Sequence, residues 1–147
     1  MDQVDDAVIE DLRARMARSA FHGWMGMSFV DARPGEIEIA LDVQEHHLNL
    51  GGSLHGGVLA TLADTAAGLA VRTRLAPEAR HVTVHLDVRY LSPGRVGTIV
   101  ASGRVVRLGR RIAFADAQVH DERGRLLVTA GATIAITPGP GGDGQPD

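Results

Sequence analysis

Residues 55–71 read HGGVLATLADTAAGLAV, a run without proline whose only charged side chain is Asp64. Two glycines open it, and small or aliphatic residues fill the rest, so the spacing predicts a helix buried on most of its circumference rather than an amphipathic surface helix. An ionised carboxylate buried without partners costs several kcal/mol, so Asp64 must find hydrogen-bond donors, stay protonated, or face a cavity. Thr61 and Thr65 are the nearest local donors; a site outside the helix is the alternative.

With 147 residues and 44% hydrophobic content the chain fits a single domain with a substantial core. A formal net charge of −3 argues against a nucleic-acid surface, which needs a net excess of clustered Lys and Arg. The absence of cysteine excludes disulfides, thiol catalysis and thiolate metal sites, and suits a cytoplasmic protein. Residues 1–20 carry eight acidic and basic side chains and no apolar signal-peptide segment, so no secretion is expected. The apolar run holding Asp64 is shorter than a membrane span, and no membrane association is expected.

Val4, Val8, Leu12 and Met16 recur every four residues and predict an N-terminal helix over about residues 3–20. From Met25 to Val43 the pattern alternates around Arg33-Pro34-Gly35, as in a hairpin with one wet face. After Pro77 alternating residues from Val82 to Tyr90, with turns at Ser92-Pro93-Gly94, Leu108-Gly109-Arg110 and Glu122-Arg123-Gly124, predict an antiparallel meander of four strands. The last ten residues, PGPGGDGQPD, contain nothing apolar, so a folded domain over 1–137 and a disordered tail over 138–147 are expected. One long apolar helix and one antiparallel sheet define an α+β chain, and wrapping the sheet around the helix buries both. This is the hot-dog architecture.

The loop before the helix reads Asn49-Leu50-Gly51-Gly52-Ser53-Leu54-His55-Gly56-Gly57. Glycines at a helix start allow close approach to backbone N–H groups that lack intrahelical partners, at the positive end of the dipole. Gly56 and Gly57 are therefore candidates to bind a carbonyl or anion; the plainer alternative is a tight loop. Asn49, Gly52, His55, Gly56, Gly57 and Asp64 together form N-x-x-G-x-x-H-G-G followed by an acid nine positions after the His. This pattern resembles the hot-dog acyl-CoA thioesterases of the phenylacetate-pathway type, in the 4-hydroxybenzoyl-CoA thioesterase superfamily. The resemblance runs from about Met25 to Ile136, and HVTVHLDVRYLSPGRVG is similar to the family's third strand and following turn.

The resemblance implies hydrolysis of an aromatic or medium-chain acyl-CoA, with Asp64 as nucleophile or general base. One acid and one oxyanion donor suffice for that reaction and no convincing ligand set appears, so no metal or other cofactor is expected. The resemblance also implies that the Gly56 N–H meets the thioester oxygen, that Asn49 holds the thioester or water, and that Thr83 bonds the acid or water. His55 is expected to fix the loop rather than move protons. Eight residues separate Gly56 from Asp64, about 12 Å along a helix, too far to touch one thioester carbon. Two antiparallel helices across a dyad would bring one chain's Gly56 to the other's Asp64, so a homodimer with two composite sites is expected. The family implies pairing of such dimers into a homotetramer.

Arg107, Arg110 and Arg111 flank a turn and are candidates for the phosphates of coenzyme A, or else a solvated surface. Simple alternation puts His81, Thr83, His85 and Asp87 on one face, with His46 and His47 in the loop, but no accepted metal-ligand spacing appears. Trp24, with Phe21 and Met25, reads as packing at the helix-to-strand junction. A hot-dog hydratase needs an imidazole base, and no His lies between residues 56 and 80. A non-catalytic acyl-CoA or aromatic-ligand binding module is the remaining alternative, and it needs no acid at mid-helix.

Overall fold

The structure is a computed structural model and describes residues 5–139. Val4, and residues 140–147 of the expected tail, lie outside them. The elements run α1 (Asp6–Arg18), α2 (Ala20–Met25), β1 (Met27–Arg33), β2 (Glu36–Asp42), a 3-10 turn at Glu45–His47, α3 (Gly56–Arg72), β3 (Arg80–Tyr90), β4 (Thr98–Leu108), β5 (Ile112–His120) and β6 (Leu126–Thr137).

The expected single N-terminal helix is two. Ser19 ends α1 in extended backbone and caps α2, its hydroxyl accepting from His22 N. Leu12 and Met16 of the four-residue stripe are buried and Val8 is partly so. Met25 joins the core, but Trp24 is 69% exposed and faces the His46 ring instead of packing at the junction.

All six strands form one antiparallel sheet in the order β1-β2-β4-β5-β6-β3. The predicted meander therefore holds only for β4-β5-β6. β3 does not pair with β4; it lies at the far edge beside β6, and residues 91–97 carry the chain from that edge back to the middle. Alternation marks a strand's faces but not its neighbours, which is why the sequence missed this.

The sheet surface beneath α3 is paved with small residues: Ala101, Gly103, Ala113, Ala115, Ala117, Ala130 and Ala132. α3 answers with Ala63, Ala66, Ala67 and Ala70, all buried. Small residues on both surfaces let the backbones approach closely, and at Gly103 a Cβ would sit 2.1 Å from the Ala66 carbonyl oxygen. From Ala66 to Arg72 every residue of α3 is buried, but Gly57, Ala60, Thr61, Asp64 and Thr65 of its first half keep exposed surface. The helix is thus not wrapped all round, because the sheet leaves one flank of its N-terminal half open.

At the other end Arg72 is 3% exposed, and its guanidinium donates to the Ala79, Ala76 and Leu75 carbonyl oxygens at 2.7, 2.5 and 3.3 Å. Orphan carbonyls where α3 turns into β3 thereby find a donor.

Candidate active site

Two histidines build the approach to α3. His47 is 1% exposed; its Nδ1 accepts from Gln44 N at 2.8 Å, so its Nε2–H donates to the Met25 carbonyl at 2.7 Å. Both ring nitrogens are thus committed to backbone, and His47 pins the loop to the end of α2 rather than serving a metal. Its own carbonyl accepts from His55 N at 2.9 Å. Between them, Asn49 Oδ1 accepts from Gly51 N and Ser53 N at 2.9 and 3.1 Å, and Asn49 N donates to Ser53 O at 2.7 Å. The Asn49 carboxamide oxygen therefore shapes its own loop.

His55 is the N-cap of α3, an unusual residue there, and its Nδ1 accepts from Gly57 N at 2.8 Å. The first-turn donors can then be followed one by one. Gly57 N–H goes to His55 Nδ1, and Val58 and Leu59 N–H go to the His55 carbonyl at 2.9 and 3.4 Å. Among the described residues the Gly56 N–H has no acceptor. It belongs to the His55–Gly56 peptide, whose carbonyl already accepts two hydrogen bonds, and such polarisation strengthens a donor. Of the two glycines, Gly56 keeps its donor uncommitted and Gly57 spends its own on the cap.

Asp64 stands two turns further along α3. The Thr83 hydroxyl donates to Asp64 Oδ1 at 2.7 Å from β3, so the acid finds its partner on the sheet. Thr61 is not that partner, since its hydroxyl donates back to Gly57 O at 2.7 Å. One carboxylate oxygen accepts from Thr83, and Oδ2 has no hydrogen-bond donor among the described residues.

β3 presents Thr83 in a way simple alternation does not predict. Thr83 pairs with Ile134 but His85 pairs with Thr133, so Val84 is an extra residue, a bulge. Up to the bulge His81 and Thr83 face α3, with His81 Nε2 3.4 Å from where a Gly68 Cβ would sit. Beyond it the parity flips, and Leu86 and Val88 pack against the core while Asp87 lines a groove on the outer face of the sheet. The expected common face of His81, Thr83, His85 and Asp87 is therefore split, and no group of three metal-ligating side chains forms among the described residues. Burial, then the Arg72 and Arg15 charges, lower the His81 pKa against an opposing pull from Asp64.

Tyr90, at the end of β3, was not anticipated. Its hydroxyl donates to the Gly56 carbonyl at 2.7 Å, beside the loop that delivers α3. Arg107, Arg110 and Arg111 do not join this cluster. Arg111 O accepts from Ile136 N, and Ile136 pairs with His81, which lies level with Gly68. Twelve residues of helix, about 18 Å, separate that level from Gly56.

A six-stranded antiparallel sheet packed on one central helix, with glycines at that helix's start and a hydrogen-bonded acid at its middle, defines a hot-dog thioesterase. Residues 51–128 match the thioesterase superfamily, and the chain belongs to it. Human acyl-coenzyme A thioesterase 13 is 30% identical over 135 residues, covering 89% of this chain and 94% of that one. The mouse protein of the same name is 32% identical over 71% of this chain and 75% of its own length. A thioesterase family protein of Silicibacter pomeroyi superposes with a TM-score of 0.85 at 26% identity, covering 90% of this chain and 99% of that one. The protein is a thioester hydrolase. No helix among the described residues is long and apolar enough to cross a membrane.

Proposed function

We propose that the protein hydrolyses acyl-CoA thioesters with an aromatic or medium-chain acyl group, at sites shared between two copies of the chain. The observation that carries this is the pairing of an uncommitted Gly56 N–H with a Thr83-held Asp64 on one helix, about 12 Å apart. In an antiparallel pair of helices the Gly56 N–H of one copy receives the thioester oxygen as charge develops on it, a contribution of about 3 to 4 kcal/mol per donor. Asp64 of the other copy either attacks the carbonyl carbon or takes a proton from the attacking water. The C–S bond breaks and the thiolate leaves as coenzyme A, taking up a proton. On the first route water then hydrolyses the acyl–Asp64 anhydride to release the acid and restore the carboxylate, and on the second the attacking water has already become part of the acid. Neither route needs a metal.

Two features support a second copy. The flank of α3 that holds Asp64 is left open by the sheet, and β3 is an 11-residue edge strand with Val82 and Val84 59% and 58% exposed. An edge this long normally finds a cover. Arg107, Arg110 and Arg111 then act on coenzyme A phosphates only across the dyad, and pairing of dimers gives the homotetramer.

Mixed dimers test the reading. Asn49 sits on the loop that sets Gly56, so Asn49→Ala disables the Gly56 end of a site and Asp64→Ala the acid end. Each homodimer is expected to be inactive. When the two are unfolded and refolded together in equal amounts, half the dimers are mixed and each carries one intact site, so activity returns to about 25% of parent. Recovery near zero with mixed dimers confirmed by mass overturns the shared site, and a parent inactive on every acyl-CoA tested leaves the binding-module alternative.

A further inference from the structure

The Gly56–Gly57 peptide is gripped on both sides. Its carbonyl accepts the Tyr90 hydroxyl at 2.7 Å, and its N–H donates to His55 Nδ1 at 2.8 Å. The Tyr90 ring also lies against the Gly56 Cα, where a Cβ would meet Cε1 and Cζ at 3.3 Å. Tyr90 is 54% exposed, so this contact is not the by-product of core burial.

We propose that Tyr90 is a positioning residue for thioester hydrolysis: with His55 it clamps the Gly56–Gly57 peptide and so fixes the direction of the neighbouring Gly56 N–H. This rests on the reading of Gly56 as the donor to the thioester oxygen. The need for a clamp follows from the sequence. Two consecutive glycines at the first positions of a helix are its least restrained residues, and a donor that must meet an oxyanion gains from being held before the reaction begins. A plain helix start fixes its first N–H only through the cap. Here the following peptide is held from a strand as well, by a phenol at the far end of the strand that holds Asp64 through Thr83. The hydrogen bonds also run in series, O–H to carbonyl and then N–H to imidazole, so each strengthens the other. The ring adds a size limit, since any side chain at position 56 presses against it.

The test is Tyr90→Phe, which keeps the ring and removes the hydroxyl, measured on an acyl-CoA that the parent hydrolyses. We expect kcat to fall about five- to tenfold, the loss of one neutral hydrogen bond, with KM within about twofold and Tm unchanged within about 2 °C. A merely structural tyrosine gives the reverse, a lower Tm with kcat kept. The Gly57 amide proton should move upfield in the variant's NMR spectrum as its peptide loses polarisation, a readout independent of activity. His55→Ala combined with Tyr90→Phe should cost less than the product of the single effects, because both act on one peptide. Unchanged kcat in an active protein, an unmoved Gly57 signal, or fully multiplicative effects each overturn the clamp alone. A parent inactive on all thioesters removes the reading of the site, and the clamp with it.

Discussion

Thr83 and Asp64 are joined by a 2.7 Å hydrogen bond between the sheet and the central helix, and each is half-buried. The bond fixes which carboxylate oxygen is held and which is open. Thr83→Ala should lower kcat about tenfold, somewhat more than the loss of a free-standing neutral hydrogen bond because the acid also loses its orientation. Thr83→Ser should recover most of the rate. Equal losses in the two variants, measured by thiol release, would show that the hydroxyl is not what matters.

Asp64→Asn keeps the shape of the acid and its bond from Thr83 but removes its charge. Turnover is expected to drop about 100-fold or more, with substrate affinity changing far less. A variant within about threefold of parent moves the chemistry to another residue.

Hydrolysis should proceed unchanged after dialysis against a chelator, since one acid and one oxyanion donor suffice for the reaction. Inactivation by EDTA that a divalent ion reverses would contradict the metal-free reading.

His81 makes stability depend on pH. Burial, Arg72 and Arg15 hold its pKa below 6.5, while Asp64 pulls the other way. As pH falls through 6.5 the unfolded chain takes up a proton that the folded chain refuses, so stability is complete above that value and declines below it. His22, lowered by burial, adds to the same slope. His81→Gln should therefore show a shallower fall in Tm between about pH 7 and 5 than the parent. An identical slope would mean the imidazole accepts its proton as readily folded as unfolded.

Gly103→Ala should be the most damaging small change on the sheet, because the new Cβ would lie 2.1 Å from a backbone oxygen that cannot swing away. A cost of about 3 kcal/mol is expected, lowering Tm by about 10 °C. Gly131→Ala is the control, since its nearest neighbour there is Asp116 Oδ1 at 3.9 Å. Comparable melting of the two variants would rule out close helix-to-sheet contact at Gly103.

Much of this was legible in the chain itself. The apolar run, the glycines before it and the acid within it all act through local rules, and the spacing of Gly56 and Asp64 depends only on helical rise. Thr83 came from family resemblance rather than from alternation. What escaped were relations that local pattern does not encode. Trp24 looked like core because aromatic residues usually are, yet it lies open beside His46. His47 looked like a possible ligand, and its two backbone bonds appear only once the loop closes on α2. The edge position of β3 depends on which strands meet, and Tyr90 reads as one more alternating apolar residue until its strand is set beside the start of α3.

The bulge at Val84 has a consequence for how the two ends of the site stay in step. Seven residues separate Thr83 from Tyr90, an odd number, so a regular strand would aim them in opposite directions. The extra residue acts as a phase shift, and because of it one strand reaches both the acid and the glycine peptide. One residue inserted in β6 between Thr133 and Ile134 would give Val84 a partner and let the ladder run unbroken, yet leave only one of those two side chains on the helix side. The site is therefore tuned by counting as well as by chemistry: one residue gained on the neighbouring strand, touching neither Asp64 nor Gly56, would uncouple them.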